Sequence, residues 1–386
     1  MQIVHILGAK RSPQGAFMGA LKGFSAPMLA AQVIKPLCAA LPSNTHPCEA
    51  LIGCVLSAGL GQAPARQAVL NAGLTQNIPT TTLNKVCGSG MKAVMLGAAQ
   101  IRASEANLVL AGGMESMSNA PYLQPKLRGG ARMGHIKSYD HMFMDGLEDA
   151  YERGTAMGVY ADATAERYNL SRESQDAYAL ESLERALIAD FKAEICPIYH
   201  DNEKQTICLD ADESPQQAKP DKVKRLKPAF TPKGTVTAAN ASSISDGAAM
   251  LLLGSEHSMR ENAMQSRARI VGMASYAAAP RWFTLSPIGA TQKLLRQLDW
   301  SLDSIDLFEV NEAFAAVPMA WMAELGVERS RVNVRGGACA LGHPIGASGA
   351  RIIVTLLHAL EDRNLKRGIA TLCIGGGEAT AIALER

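Results

Sequence analysis

A chain of 386 residues with 47% hydrophobic content is long enough for several packed layers and more than one core. Charged residues make up 19% and the formal net charge is +2 with no long basic or acidic block, which leaves no electrostatic case for nucleic acid. No run of about 18 apolar residues spans a membrane, and the opening residues carry neither a secretion-signal core nor a transit-peptide pattern, so a cytoplasmic protein is expected.

In chain order, the apolar run Ala50–Leu56 leads to a predicted helix over Ala65–Ala72. A β-branched run, Thr80–Val86, then reads as a strand entering Cys87-Gly88-Ser89-Gly90. Helix Met91–Arg102 follows, then strand Asn107–Ala111 ending in Gly112-Gly113. The order returns in the second half. Ile305–Val310 leads to helix Ala313–Leu325, and Arg331–Val334 enters a glycine-rich loop closing at Gly346-Ala347-Ser348-Gly349. Helix Ala350–Leu360 and strand Ile369–Ile374, ending in Gly375-Gly376-Gly377, complete the second pass. Two such passes predict two similar α/β halves with largely parallel sheets. Abundant glycine, 34 residues against 5% aromatics, suits helices packed closely on strands.

The halves differ in one place. The strand that closes the second half begins directly at Glu378, whereas its counterpart in the first half, Ala248–Leu253, comes only after a long insertion. That insertion holds predicted helices over Tyr151–Tyr168 and Ser171–Lys192, the second with a capping start, and the polar segment Asp201–Pro232. A lobe rooted there is placed to cover a substrate.

The eight cysteines (Cys38, Cys48, Cys54, Cys87, Cys196, Cys208, Cys339, Cys373) show no CxxC and no metal-ligand spacing with histidine, so reduced thiols and no metal are expected. Cys87 alone sits where a strand gives way to a helix. A helix N-terminus carries about half a positive charge, which favours thiolate; the plain alternative is a small buried hydrophobe. His343, in a loop too glycine-rich to be ordinary core, titrates near neutrality and can take a thiol proton, or it is a satisfied structural histidine. Cys373 ends a strand near the position equivalent to Gly112. Asn311 can orient a water or carbonyl, or cap a helix. The run Lys219–Lys227 is either solvated surface or a cradle for phosphates.

These segments resemble the thiolase family, and the resemblance runs essentially end to end. Asn-Lys-Val-Cys87-Gly-Ser-Gly-Met looks like its nucleophile segment and Gly112-Gly-Met-Glu-Ser-Met-Ser-Asn-Ala-Pro-Tyr like the strand end after it. Asn311-Glu-Ala-Phe looks like its oxyanion motif, and Gly342-His343-Pro-Ile-Gly-Ala-Ser-Gly-Ala-Arg and Cys373-Ile-Gly-Gly-Gly complete the set in family order.

The resemblance implies a five-layered α-β-α-β-α fold of two duplicated halves: residues 1–117 with 244–266, an inserted loop domain over 118–243, and 267–386. It implies a two-step acyl transfer in which two acetyl-CoA condense to acetoacetyl-CoA and CoA, or the reverse thiolysis. Cys87 would carry the acyl group, His343 would serve as its base and Cys373 would take the α-proton. One oxyanion site would use His343 with a water held by Asn311, the other the N–H groups of Cys87 and Gly375. Coenzyme A, a substrate and product rather than a resident cofactor, would contact Leu147, Met157, Phe230, Ser242 and Phe314. The segment Arg128-Gly-Gly-Ala-Arg-Met-Gly-His, followed by Asp145-Gly-Leu-Glu-Asp, resembles the tetramer loop of short-chain biosynthetic members and implies a homotetramer.

Four positions depart from that pattern. Ala156 stands where His is common, Phe283 in place of a methionine of the acyl pocket, Arg335 in place of Asn, and Glu378 in place of an uncharged residue. They bear on acyl length, since one methylene is worth about 1–3 kcal/mol in a pocket. The alternatives are a degradative 3-ketoacyl-CoA thiolase of broader chain length and a non-catalytic CoA- or lipid-binding relative. Ketoacyl synthases share the fold, but they pair their cysteine with two histidines, or with one histidine and an asparagine, where this chain has Cys373. A cysteine protease would need an orienting residue that no signature here supplies.

Overall fold

In the computed structural model, which describes residues 2–43, 45–201 and 206–386, the two passes through the sequence become two sheets that share a central helix layer. The first half contains β1 (Val4–Arg11), α1 (Ala26–Ala39), β2 (Glu49–Gly53), α2 (Pro64–Asn71), β3 (Thr80–Leu83), α3 (Ser89–Arg102) and β4 (Leu108–Ser116). An insertion with α4 (Met157–Arg167) and α5 (Arg172–Ile188) precedes its closing strand, β5 (Ser245–Ser255). The second half contains β6 (Ala268–Ala277), α6 (Ser286–Leu298), β7 (Leu307–Val310), α7 (Ala316–Leu325), α8 (Ile345–Asp362), β8 (Arg367–Ile374) and β9 (Glu378–Glu385).

Strand order runs β7-β8-β9-β6-β1-β5-β4-β2-β3. The two sheets meet at a short antiparallel seam, where His5 pairs with Arg269 and Ile6 with Ala268. Within each half the pairings β2–β3, β2–β4 and β7–β8 are parallel, while β1–β5, β4–β5, β6–β9 and β8–β9 are antiparallel, so the sheets are mixed rather than largely parallel. Helices α3 and α8 share the central core with both sheets. Residues of α1 and α2 pack on the outer face of the first sheet, and those of α6 and α7 on the outer face of the second. This is the expected five-layered order.

The register also fixes the symmetry. The N–H of Cys48 bonds to Leu108 O and that of Asp306 to Arg367 O. Counting along both strands puts Met114, two residues beyond Gly112, in the place of Cys373; the partner opposite is Ala248 in one half and Ala379 in the other.

Central helix α8 is buried from Ile345 to Leu360, so it has no solvent face, as befits a helix between two sheets. Its approach to α3 depends on Gly90, where a Cβ would stand 2.9 Å from the backbone N of Ala350. Several elements run longer than expected. β4 continues through Gly112-Gly113, paired by β2 and β5 on both sides, and on to Ser116 along β5 alone. The predicted strand Arg331–Val334 is reduced to isolated bridges, Val332 with Phe308 and Val334 with Gly336.

Buried polar contacts tie the insertion to both halves. Ser171 caps α5 by accepting the N–H of Ser174 at 3.1 Å. Glu312 accepts from Tyr178 and Ser182 of α5 at 2.9 and 2.7 Å. Arg11 of β1 pairs with Glu194 and Asp212, both at 2.6 Å. Residues 202–205 of the polar segment Asp201–Pro232 lie outside the described residues. No helix among the described residues is long and apolar enough to cross a membrane.

Candidate active site

The chain turns sharply between β3 and α3. Val86 takes φ 47°, a left-handed conformation that costs a β-branched residue about 1–3 kcal/mol and that its surroundings must hold. Asn84 Oδ1 accepts the Val86 N–H at 2.8 Å. Ser89 Oγ accepts the Lys85 N–H at 2.8 Å and donates to Val86 O at 2.7 Å. This turn presents Cys87 just ahead of α3, half-buried against Val55, Leu56, Met117, Met142 and Ile345.

Burial pushes the Cys87 thiol up to about 11, and the Glu115 carboxylate adds to the rise. The backbone N–H groups of Gly375 and of Cys87 itself pull the other way. The N–H donors at this position favour thiolate, in the expected direction, but desolvation outweighs them and the resting group is the thiol.

The sulfur receives the Gly375 N–H across the boundary between the halves. Gly88 permits this approach, since a Cβ there would lie 2.3 Å from Ile374 Cδ1. Cys373, at the end of β8, is buried, and both burial and the nearby Cys87 raise its pKa. Cys87, Cys373 and Gly375 thus converge from opposite repeats.

His343 is buried, and burial together with Arg351 lowers its pKa to about 3, so it rests neutral. Its Nδ1 lies 2.6 Å from Ser348 Oγ, which itself donates to Pro344 O at 2.9 Å. With its proton committed, Ser348 can only accept, so Nδ1 bears the hydrogen and Nε2 keeps its lone pair. Asn311 Nδ2 lies 3.5 Å from that Nε2. Behind it, Arg351 pairs with Glu309 at 2.9 Å and reaches Asn311 Oδ1 at 3.5 Å, which turns the amide nitrogen toward the imidazole. His343 is also held from the insertion side, its N–H bonding to Ser243 O at 3.0 Å.

Of the residues expected to meet coenzyme A, Leu147 and Met157 lie beside Cys87 and Gly375, and Phe230, Phe314 and Ser242 form a second group. Leu147 packs on the same apolar cluster as Cys87. Met157 Cε stands 3.6 Å from where a Cβ on Gly375 would lie. Phe230 and Phe314 meet edge to face at 5.9 Å, and Ser242 donates to Ala313 O at 2.9 Å beside them. Lys219, Lys222, Lys224 and Lys227 are exposed, and Lys219 and Lys222 line a cavity of about 340 Å³ with Leu226, Ser243 and Cys339.

Among the four departures, Ala156 precedes α4 as its N-cap, and Phe283 is buried edge-on to Tyr160 at 6.5 Å. Arg335 is buried with Glu194 at 3.2 Å and Asp362 as partners, which makes it part of the ion network joining insertion to core. Glu378 pairs with Lys85 across the halves.

Sequence reasoning missed Glu115, Ser348 and Arg351. Ser348 and Arg351 follow His343 by five and eight residues, but His343 lies before α8 and neither spacing is that of helical neighbours, so nearness in the same motif was the only signal. Glu115 carried no such signal. No group of three or more His, Cys, Asp or Glu placed to hold a metal ion exists among the described residues.

Comparison with known proteins decides the family. Residues 4–257 match the family model described as thiolase, N-terminal domain, and residues 264–386 that of thiolase, C-terminal domain. The chain belongs to the thiolase family. Among curated thiolases, the acetyl-CoA acetyltransferase of Pseudomonas aeruginosa is 47% identical, with 100% of both chains covered. The probable acetyl-CoA acetyltransferase of Escherichia coli K12 is 44% identical, again over 100% of both. The crystal structure of the Bacillus anthracis acetyl-CoA acetyltransferase superposes with TM-score 0.95 at 39% identity, covering 100% of this chain and 99% of that one. A thiolase from Ascaris suum, solved in complex with coenzyme A, gives 0.93 at 41% identity with full coverage of both. The thiolase motifs are thus present in order and on the thiolase fold.

Proposed function

We propose that this thiolase is an acetyl-CoA C-acetyltransferase, joining two acetyl-CoA into acetoacetyl-CoA and CoA and running the reverse thiolysis. The observation that carries the reading is the Gly375 N–H from one repeat directed at the Cys87 sulfur of the other, beside Cys373. The curated relatives' shared activity supports the same substrate.

In this reading Cys87 Sγ attacks the thioester carbonyl and its proton passes to His343 Nε2, which the Ser348 contact leaves free to accept it. CoA departs as its thiol, taking the proton of Cys373, so acetyl-Cys87, a Cys373 thiolate and protonated His343 remain. A second acetyl-CoA gives an α-proton to the Cys373 thiolate, and the resulting carbanion attacks the acetyl carbonyl. The C–C bond forms as the bond to Cys87 breaks, and the Cys87 sulfur regains its hydrogen from His343. The N–H groups of Cys87 and Gly375 would hold the tetrahedral oxyanion, and His343 with a water held by Asn311 would hold the enolate. Each such donor contributes on the order of 3 kcal/mol.

Coenzyme A would lie along Leu147, Met157, Phe230, Ser242 and Phe314, with Lys219 and Lys222 near its phosphates. Residues 1–117 with 244–266 and 267–386 would act as the two halves and 118–243 as the inserted domain. A homotetramer would bury the exposed apolar side chains Leu127, Met133, Ile136 and Tyr139 of the inserted loop. Eight unpaired cysteines fit the reducing cytoplasm.

Intact mass after incubation with acetyl-CoA tests the nucleophile: an acetyl adduct is expected on the native enzyme and none on Cys87→Ser. An adduct retained at full occupancy on Cys87→Ser removes Cys87 from this role. Thiolysis across 3-ketoacyl-CoA lengths tests the substrate; a flat response or a long-chain preference defeats the short-chain assignment.

A further inference from the structure

Glu115 is fully buried at the end of β4, and its carboxylate gathers donors from both halves. Oε2 accepts the N–H of Val55 at 3.1 Å and that of Gly346 at 2.8 Å, while Oε1 accepts the N–H of Leu56 at 3.1 Å. Cys54 Sγ stands 3.6 Å from Oε1. Val55 and Leu56 form part of the apolar bed under Cys87, and Gly346 opens α8 three residues beyond His343. A buried carboxylate that receives several N–H donors, one at a helix N-terminus, is held firmly in direction as well as in place.

We propose that Glu115 is a positioning residue for acyl transfer, clamping the His343-bearing loop of the second half onto the Cys87-bearing wall of the first and so setting thiol against imidazole. The inference rests on the reading of Cys87 and His343 as nucleophile and base. The nearness of Glu115 to Cys87, enough to raise its thiol, supports the placement. A helix cap alone would bond only to α8; Glu115 bonds to both sides with one carboxylate.

Two full-length variants separate charge from span. Glu115→Gln keeps the length but turns an amide NH2 toward N–H donors, so kcat for thiolysis should fall roughly a hundredfold with KM unchanged. Loss of the negative charge should also move the pH profile of Cys87 alkylation to lower pH. Glu115→Asp keeps the charge but is one methylene too short to reach both walls, so kcat should fall while the alkylation profile stays. Acetylation of the native enzyme by acetyl-CoA is the control. Its failure removes the underlying reading. Native acetylation with both variants at native kcat, whatever their melting temperature, overturns the clamp alone. If neither variant folds, Glu115 is a folding residue and the assignment also falls.

Discussion

Ser348 Oγ accepts the Nδ1 proton of His343 at 2.6 Å while giving its own to Pro344 O at 2.9 Å, so one hydroxyl selects the tautomer of the imidazole. Replacing Ser348 by Ala removes the acceptor and frees the ring to place its hydrogen on Nε2, the wrong nitrogen for a base. A kcat about tenfold lower, equivalent to roughly 1.4 kcal/mol, is expected with KM unchanged. Steady-state thiolysis reads both parameters, and a variant that changes only KM contradicts the tautomer argument.

The protonation states of Cys87 and His343 make a separate prediction. With the thiol pushed up to about 11 and the imidazole down to about 3, the resting pair is neutral over the whole working range. Thiolate is the reactive form, so alkylation of Cys87 by iodoacetamide should rise about tenfold per pH unit from pH 7 to 10. Peptide mass analysis must follow Cys87 individually, because Cys48 and Cys208 are exposed. A plateau reached below pH 8 would instead indicate a thiolate–imidazolium pair.

Cys87, His343, Cys373 and Asn311 were legible because each lies in a short segment whose composition is unusual for core: a nucleophile or base among small residues at an element boundary. Their electrostatics were not legible. Helix-dipole reasoning sees the positive end of α3, but the cost of desolvating a thiol under Val55, Leu56 and Met142 depends on walls that only the fold assembles. Glu115 was hidden for a related reason. In a Gly-Met-Glu-Ser string a glutamate reads as a solvated strand end, and the Gly346 N–H that gives it a purpose arrives from the other half of the chain. Similarly, Gly112-Gly113 read as the stop of a strand, yet β2 and β5 pair with both glycines and β5 carries β4 on to Ser116.

Lys85 and Glu378 join the halves beside the Cys87 and Gly375 donors, and Glu378 is one of the departures from the biosynthetic pattern. Both side chains are partly exposed, 23% and 38%, so solvent screens the pair. Glu378→Gln should therefore lower stability by less than about 1 kcal/mol and kcat/KM by no more than about fivefold. Urea unfolding and thiolysis measure the two effects. A larger loss of kcat/KM at intact stability would make the pair part of the catalytic geometry.

Glu312 follows Asn311 in the same motif but faces away from the chemistry. Its carboxylate accepts Tyr178 Oη at 2.9 Å, Ser182 Oγ at 2.7 Å, Asn333 Nδ2 at 2.8 Å and the Cys339 N–H at 3.0 Å. All of these groups are buried or nearly so, and through them Glu312 ties α5 to the loop that follows β7. Glu312→Ala strands those donors without partners, and a loss of about 3 kcal/mol is expected, visible as a lower urea midpoint. Because Asn311 is the next residue, the imidazole should lose its 3.5 Å neighbour as the loop relaxes. Folded variant at low temperature should then show a reduced kcat as well. A variant of native stability would mean that water replaces the carboxylate, and that α5 is held by its apolar contacts alone.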